Sequence, residues 1–203
     1  MARKSKSGKA IAQVAQRAGE IRALLGPPPL LEGEDRSTYD ALHDRIYAAV
    51  RPEDTLEEIW TRDIVDLIWE TLRLRGLKVA LMRAAAHEGL EKILEALGGP
   101  WGANSDTVAG WMRRDQKSVR NVESQLKQAG LDQDAIAAQT LAAKLDTFEK
   151  LDRMIMQAEA RRNAALREID RHRIALAQRL RTLGKEIEDA EFAEVDARTA
   201  AAE

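Results

Sequence analysis

The sequence contains no cysteine, which excludes disulfides, thiol nucleophiles and thiolate metal sites, and fits a reducing compartment. Aromatic residues make up only 4% of the chain while apolar residues make up 44%. Its core is therefore built from Ala, Leu, Ile and Val, the residues of helix packing more than of β-sandwiches. Proline is also scarce, at five residues, three of them consecutive at Pro27, Pro28 and Pro29. No stretch approaches the roughly 18 consecutive apolar residues of a membrane span. The basic start "MARKSKSGKAIAQVAQ" is not followed by an apolar run of signal-peptide length, so the expected location is the cytoplasm, with no membrane partner.

Overall charge is nearly balanced, at a formal −2, so no global basic excess points to nucleic acid. The charges come in blocks. Residues 1–19 carry Arg3, Lys4, Lys6, Lys9 and Arg17 with no acid, residues 32–70 are strongly acidic, residues 161–181 are Arg-rich, and the tail from 186 is acidic again.

Apolar spacing of three and four residues predicts helices throughout. Ile11, Val14, Ala18, Ile21 and Leu25 mark a short one, closed by Gly26 and the prolines. Ser37 with Asp40 forms a capping-box variant ahead of Tyr39, Leu42, Ile46 and Val50, with an end expected near Arg51 and Pro52. Thr55 with Glu58 repeats the box, and an apolar pattern then runs to about Leu97, weakened or bent at Gly76 and Gly89. "GGPWGANSD" reads as a loop, with Ser105 or Asp106 capping a helix through Val108, Trp111, Val119, Val122 and Leu126 that Gly130 closes. From Asp132 onward there is no proline and Gly184 is the only glycine.

That last segment holds a seven-residue repeat. Leu141, Phe148, Ile155, Arg162, Ile169, Leu176, Leu183 and Ala190 fall at one heptad position, and Leu145, Asp152, Glu159, Leu166, Arg173, Leu180, Ile187 and Glu194 at its partner four residues on. As one helix, residues 132–183 would span about 75 Å. Four charged residues, Asp152, Glu159, Arg162 and Arg173, make the seam imperfect, and Leu151, Ala158 and Ala165 shift the apolar face sideways. The expected fold is therefore all-α: an elongated helical bundle with a long C-terminal coiled-coil-like helix. Its parts are a basic tail, short helix and Pro-rich linker (1–30), a helical domain (31–130), and the long helix with its acidic tail (131–203).

Around the stretch "RRNAALREIDRHR", residues 161–173, a helix turning about 100° per residue puts Arg162 and Arg173 in the seam. Arg161 and Arg179 flank it, and Arg167, Arg171, Arg181 and Lys185 lie on the far side. Two readings follow. In the first the chain is a non-enzymatic interaction or oligomerisation protein whose seam, Leu141, Leu145, Phe148, Ile155, Leu166, Ile169, Leu176, Leu180 and Leu183, is covered by a second copy, by another helical protein, or by the helix near residues 55–97. In the alternative it is a nucleic-acid-associated accessory protein using Arg3, Lys4, Lys6 and Lys9 together with Arg167, Arg171, Arg181 and Lys185. Trp111 amid Arg113, Arg114, Lys117 and Arg120 is read as a core anchor with Arg lying across it, against a base-stacking platform.

No phosphate loop, nucleophile elbow, zinc-protease motif or dinucleotide fingerprint occurs, so no catalytic residue, cofactor or small-molecule ligand is expected. Asp63, Asp66 and Glu70 share a helix face, and Asp40 with His43 has the spacing of half a di-iron motif. The second half is missing, and His87 and His172 have no partner at ligand spacing, so no metal is expected.

"GPPPLLEGED", "YDALHDRIYAAVRPEDTLEEIWTRDIVDLIWETLRLRGLK" and "AEARRNAALREIDRHR" together resemble an uncharacterised family of helical bacterial proteins common in alphaproteobacterial genomes, over residues 24 to 185. The resemblance implies a bacterial, cytoplasmic, helical protein and carries no activity or site residues with it.

Overall fold

The computed structural model describes residues 25–98 and 105–200, with side chains described as far as residue 187. The basic arm, the short helix expected at 11–25 apart from its last residue, most of the glycine-rich loop before Ser105 and the acidic side chains beyond Ile187 lie outside the described residues. The fold is all-α, and there is no strand among the described residues. In chain order the helices are α1 (Arg36–Val50), α2 (Thr55–Ala84), α3 (Ala86–Leu97), α4 (Ser105–Met112), α5 (Gln116–Gln128), α6 (Gln133–Ala143) and α7 (Leu145–Ala200). None is long and apolar enough to cross a membrane among the described residues.

Aspartates set most of the starts. Asp35, not Ser37, caps α1, its carboxylate accepting from the backbone N–H of Ser37 and Thr38. The Ser37 hydroxyl, then that of Thr38, holds the Asp35 carboxyl down at about 2. Asp54, not Thr55, serves α2 by accepting from the Glu57 N–H at 2.9 Å. Asp115 and Asp132 do the same for α5 and α6. Each carboxylate satisfies N–H groups that a helix start leaves without a partner and opposes the positive end of the helix dipole.

Three helices expected to be continuous are broken. The one expected from Ser105 through Leu126 stops at Met112 and restarts at Gln116, with Arg114 at φ +62° in the turn between. The run from Thr55 to Leu97 breaks at Ala85, whose ψ of 1° leaves the helical region, and not at Gly76 or Gly89. The run from Asp132 to Leu183 breaks at Lys144, with φ −114° and ψ 16°. Glu88 and Lys144, one just after the break at Ala85 and one at the last break, meet at 2.6 Å. These two breaks let α3 and α6 pack closely on their own account. Gly89 faces Thr140 so tightly that a Cβ there would lie 2.3 Å from the Thr140 hydroxyl and 2.6 Å from the Ile136 carbonyl.

The described chain forms two compact units. One runs to Ile68 and resumes at Ala160; the other is Trp69–Glu159. In the first, Ile64, Ala165 and Ile169 form a buried cluster joined by Ile46, Val50, Trp60 and Ile68, while Tyr39 donates a hydrogen bond to Asp66 and carries the Arg62 guanidinium 5.7 Å from its ring centre. Burial, and then the Asp66 carboxylate, push the Tyr39 hydroxyl well up. In the second, Leu90, Ile93, Leu94, Val108, Val122, Leu126 and Ile136 make the core, with Trp111 packed against it.

In both units α2 and α7 pair in opposite directions. In the second unit Arg75 meets Glu159 at 2.8 Å and Lys78 meets Asp152 at 2.7 Å. In the first, Asp54 meets His172 and Ile64 lies in the cluster of Ala165 and Ile169. The covered face of α7 is not the expected pair of rows. Phe148, Ile155, Arg162 and Ile169 do face inward, but their companions are the row three residues on, Leu151, Ala158, Ala165 and His172. Asp152, Glu159 and Arg173 thereby leave the seam for its edge, where they form ion pairs; Arg162 alone of the four charges stays, its guanidinium turned to Asn163.

Candidate functional site

The capping sequence "PEDTLEE" places Asp54 just ahead of α2 and Glu57 on its first turn. The end of the Arg-rich stretch of α7 places His172 and Arg173 opposite them. Arg173 donates to both Glu57 oxygens, at 2.9 and 2.8 Å, and to the Val50 carbonyl at 2.8 Å, so it ties the end of α1 to α2 and α7. Glu57 is only 2% exposed, and it accepts a further bond from the Glu53 N–H at 3.0 Å. The Arg173 bond is the main cause that holds the Glu57 carboxyl below its ordinary 4.5, and the same pairing raises Arg173. His172 bonds Asp54 through Nε2 and stands edge-on to Trp60, ring centres 5.6 Å apart. Some desolvation of Asp54 is outweighed by the Glu57 N–H and by His172, and its carboxyl is held down.

Here the cover supplied by α2 ends, because the helix begins at Thr55. The apolar face of α7 does not end with it. Seven residues beyond buried Ile169, on the same side of the helix, Leu176 begins a stripe with Leu180, Leu183 and Ile187 at i, i+4, i+7 and i+11. These side chains are 40%, 60%, 53% and 60% exposed. Beside Leu176 and Leu180 lies an open groove of about 630 Å³ between them and Ala48, Ala49 and Val50 of α1.

The predicted seam residues thus divide. Phe148 and Ile169 are buried and Ile155 is partly covered, whereas Leu141, Leu145, Leu166, Leu176, Leu180 and Leu183 are exposed. Of the predicted basic face, Arg171 pairs with Glu168 at 2.7 Å, while Arg167, Arg181 and Lys185 are exposed; Arg3, Lys4, Lys6 and Lys9 fall outside the described residues. Among the described residues no group of three or more His, Asp or Glu side chains is placed to hold a metal. Asp66 is engaged by Tyr39 and Arg62, and Asp63 is pushed up by burial and then by Asp66. Apolar periodicity does not point to the pairing of Asp54 and Glu57 with His172 and Arg173. The trace of that pairing in the sequence is an acidic capping cluster before one helix and a basic pair on another. No family model, curated protein or solved structure matches the chain.

Proposed function

We propose that this is a non-enzymatic helical interaction protein that self-associates, or docks another helical protein, through α7 beyond the end of α2. The observation that carries the reading is the stripe Leu176, Leu180, Leu183 and Ile187, which prolongs the row of buried Ile169 while remaining exposed. Side chains of this kind contribute roughly 1.5 to 3 kcal/mol each when fully buried, so four at coiled-coil spacing form a sufficient anchor for a partner helix. The polar node at Glu57 and Arg173 supports the same reading, because it fixes α7 against α1 and α2 just where the stripe begins. Multi-angle light scattering of the intact chain and of the Leu176→Asp/Leu180→Asp variant tests it. An assembly, with itself or with an added helical partner, that the double variant loses is the expected result. An assembly mass that the substitutions leave unchanged rules the stripe out.

A further inference from the structure

A second feature, far from the α7 stripe in sequence, lies wholly within the unit Trp69–Glu159. It is a cleft of about 300 Å³ between the end of α2, the end of α4 and α6. Met82, Trp111, Ile136 and Ala137 make its apolar walls, and Arg83 and Arg114 stand at it with no acid among the lining residues. An apolar slot bordered by a few polar groups is the general form of a small-molecule site.

Arg114 occupies its place at a cost. It has φ +62°, in the left-handed region where glycine is the usual residue after a helix end and where a side chain is disfavoured. The backbone accounts for the turn: Arg114 N–H donates to the Trp111 carbonyl at 3.0 Å and Asp115 N–H to the Gly110 carbonyl at 2.9 Å. Those bonds would form equally well around glycine, so they do not account for an arginine. Its side chain does something glycine cannot: the guanidinium sits 6.0 Å from the centre of the Trp111 ring and borders the cleft. Trp111 itself packs on the core and is held there.

We propose that this cleft binds a small organic anion with a flat apolar body, of the class of an aryl carboxylate, its ring against Trp111 and Ile136 and its carboxylate between Arg83 and Arg114. The two guanidiniums match a planar carboxylate and are always charged. The cleft volume is at the lower end for ligand sites, which limits the ligand to about 10 to 15 non-hydrogen atoms. This site is independent of the α7 stripe.

The test is isothermal titration calorimetry of the full-length protein with 1-naphthoate and with neutral 1-naphthalenemethanol, repeated on Arg83→Gln and Arg114→Gly. Saturable binding of naphthoate at one site per chain is expected, with the neutral compound and each variant about tenfold weaker. Arg114→Gly relieves the left-handed residue, so its thermal unfolding temperature should equal or exceed that of the parent while its affinity falls. Arg83→Gln changes an exposed side chain and supplies the second reading of the same loss. The proposal is overturned by an absence of saturable binding up to low millimolar ligand, by equal affinity for the neutral compound, or by variants that both bind like the parent.

Discussion

Arg173 grips Glu57 through two nitrogens, 2.9 and 2.8 Å from the two carboxylate oxygens, and spends a third contact of 2.8 Å on the Val50 carbonyl. An acid that is almost wholly buried is thus neutralised by a base that still reaches solvent. Arg173→Ala leaves Glu57 without its counter-charge and should destabilise the protein by about 2 kcal/mol, less than the 3 to 5 typical of a fully buried pair because Arg173 is partly exposed. Adding Glu57→Leu should recover much of that loss, since the buried charge is then gone as well. Urea unfolding of Arg173→Ala, Glu57→Leu and the double variant checks it; a double variant destabilised by the sum of the two single changes or more would contradict the coupling.

The same pair dictates a pH dependence. Glu57 has a folded value below its ordinary 4.5, so the folded state binds fewer protons than the unfolded one as pH falls through this range. Its stabilisation is complete above about pH 5.5 and is lost progressively as pH drops through 4.5 toward the folded value. Asp54, also held down from its ordinary 3.8, adds to the loss in the same direction and somewhat lower in pH. The stability gap between the parent and Glu57→Gln should therefore shrink from pH 6 to pH 3; a gap that stays constant would mean that Glu57 does not titrate with folding.

Two glycines inside helices should respond with opposite signs. A Cβ at Gly89 would collide with the Thr140 hydroxyl and the Ile136 carbonyl, whereas at Gly76 it would meet nothing within 4 Å. Gly89→Ala should cost roughly 1 to 3 kcal/mol from overpacking, even against the better helix propensity of alanine. Gly76→Ala should gain about 0.5 to 1 kcal/mol from propensity alone. Thermal denaturation of the two variants measures both, and like signs would refute the close approach of α3 and α6.

The choice of rows on α7 is also measurable. Ile169 is 3% exposed and Leu166 is 41% exposed. Ile169→Ala should cost about 2 to 5 kcal/mol by opening a cavity beside Ile64, and Leu166→Ala less than about 1 kcal/mol. Comparable losses at the two positions would put both rows in the seam.

Residue type and spacing were enough to define much of this molecule. The shortage of aromatics and the three- and four-residue apolar periods specify an all-α chain, because only a helix gathers such positions on one side. The heptad row through Phe148, Ile155 and Ile169 is legible for the same reason. Which neighbouring row completes the seam is not, since one row offers the small side chains Ala158 and Ala165 beside Leu151 and the other offers Leu145, Leu166 and Leu180 interrupted by Asp152, Glu159 and Arg173. The tertiary structure decides it by giving Asp152 and Glu159 a cation each on α2, Lys78 and Arg75, at the edge of the seam. It also decides where the helices break. Nothing local distinguishes Ala85 or Lys144; the breaks there set α3 and α6 apart from α2 and α7, and these two short helices meet at Gly89 and Thr140. The cleft beside Trp111 belongs to the same category: Arg83 and Arg114 are 31 residues apart, and only the tertiary packing brings the two arginines to one cleft.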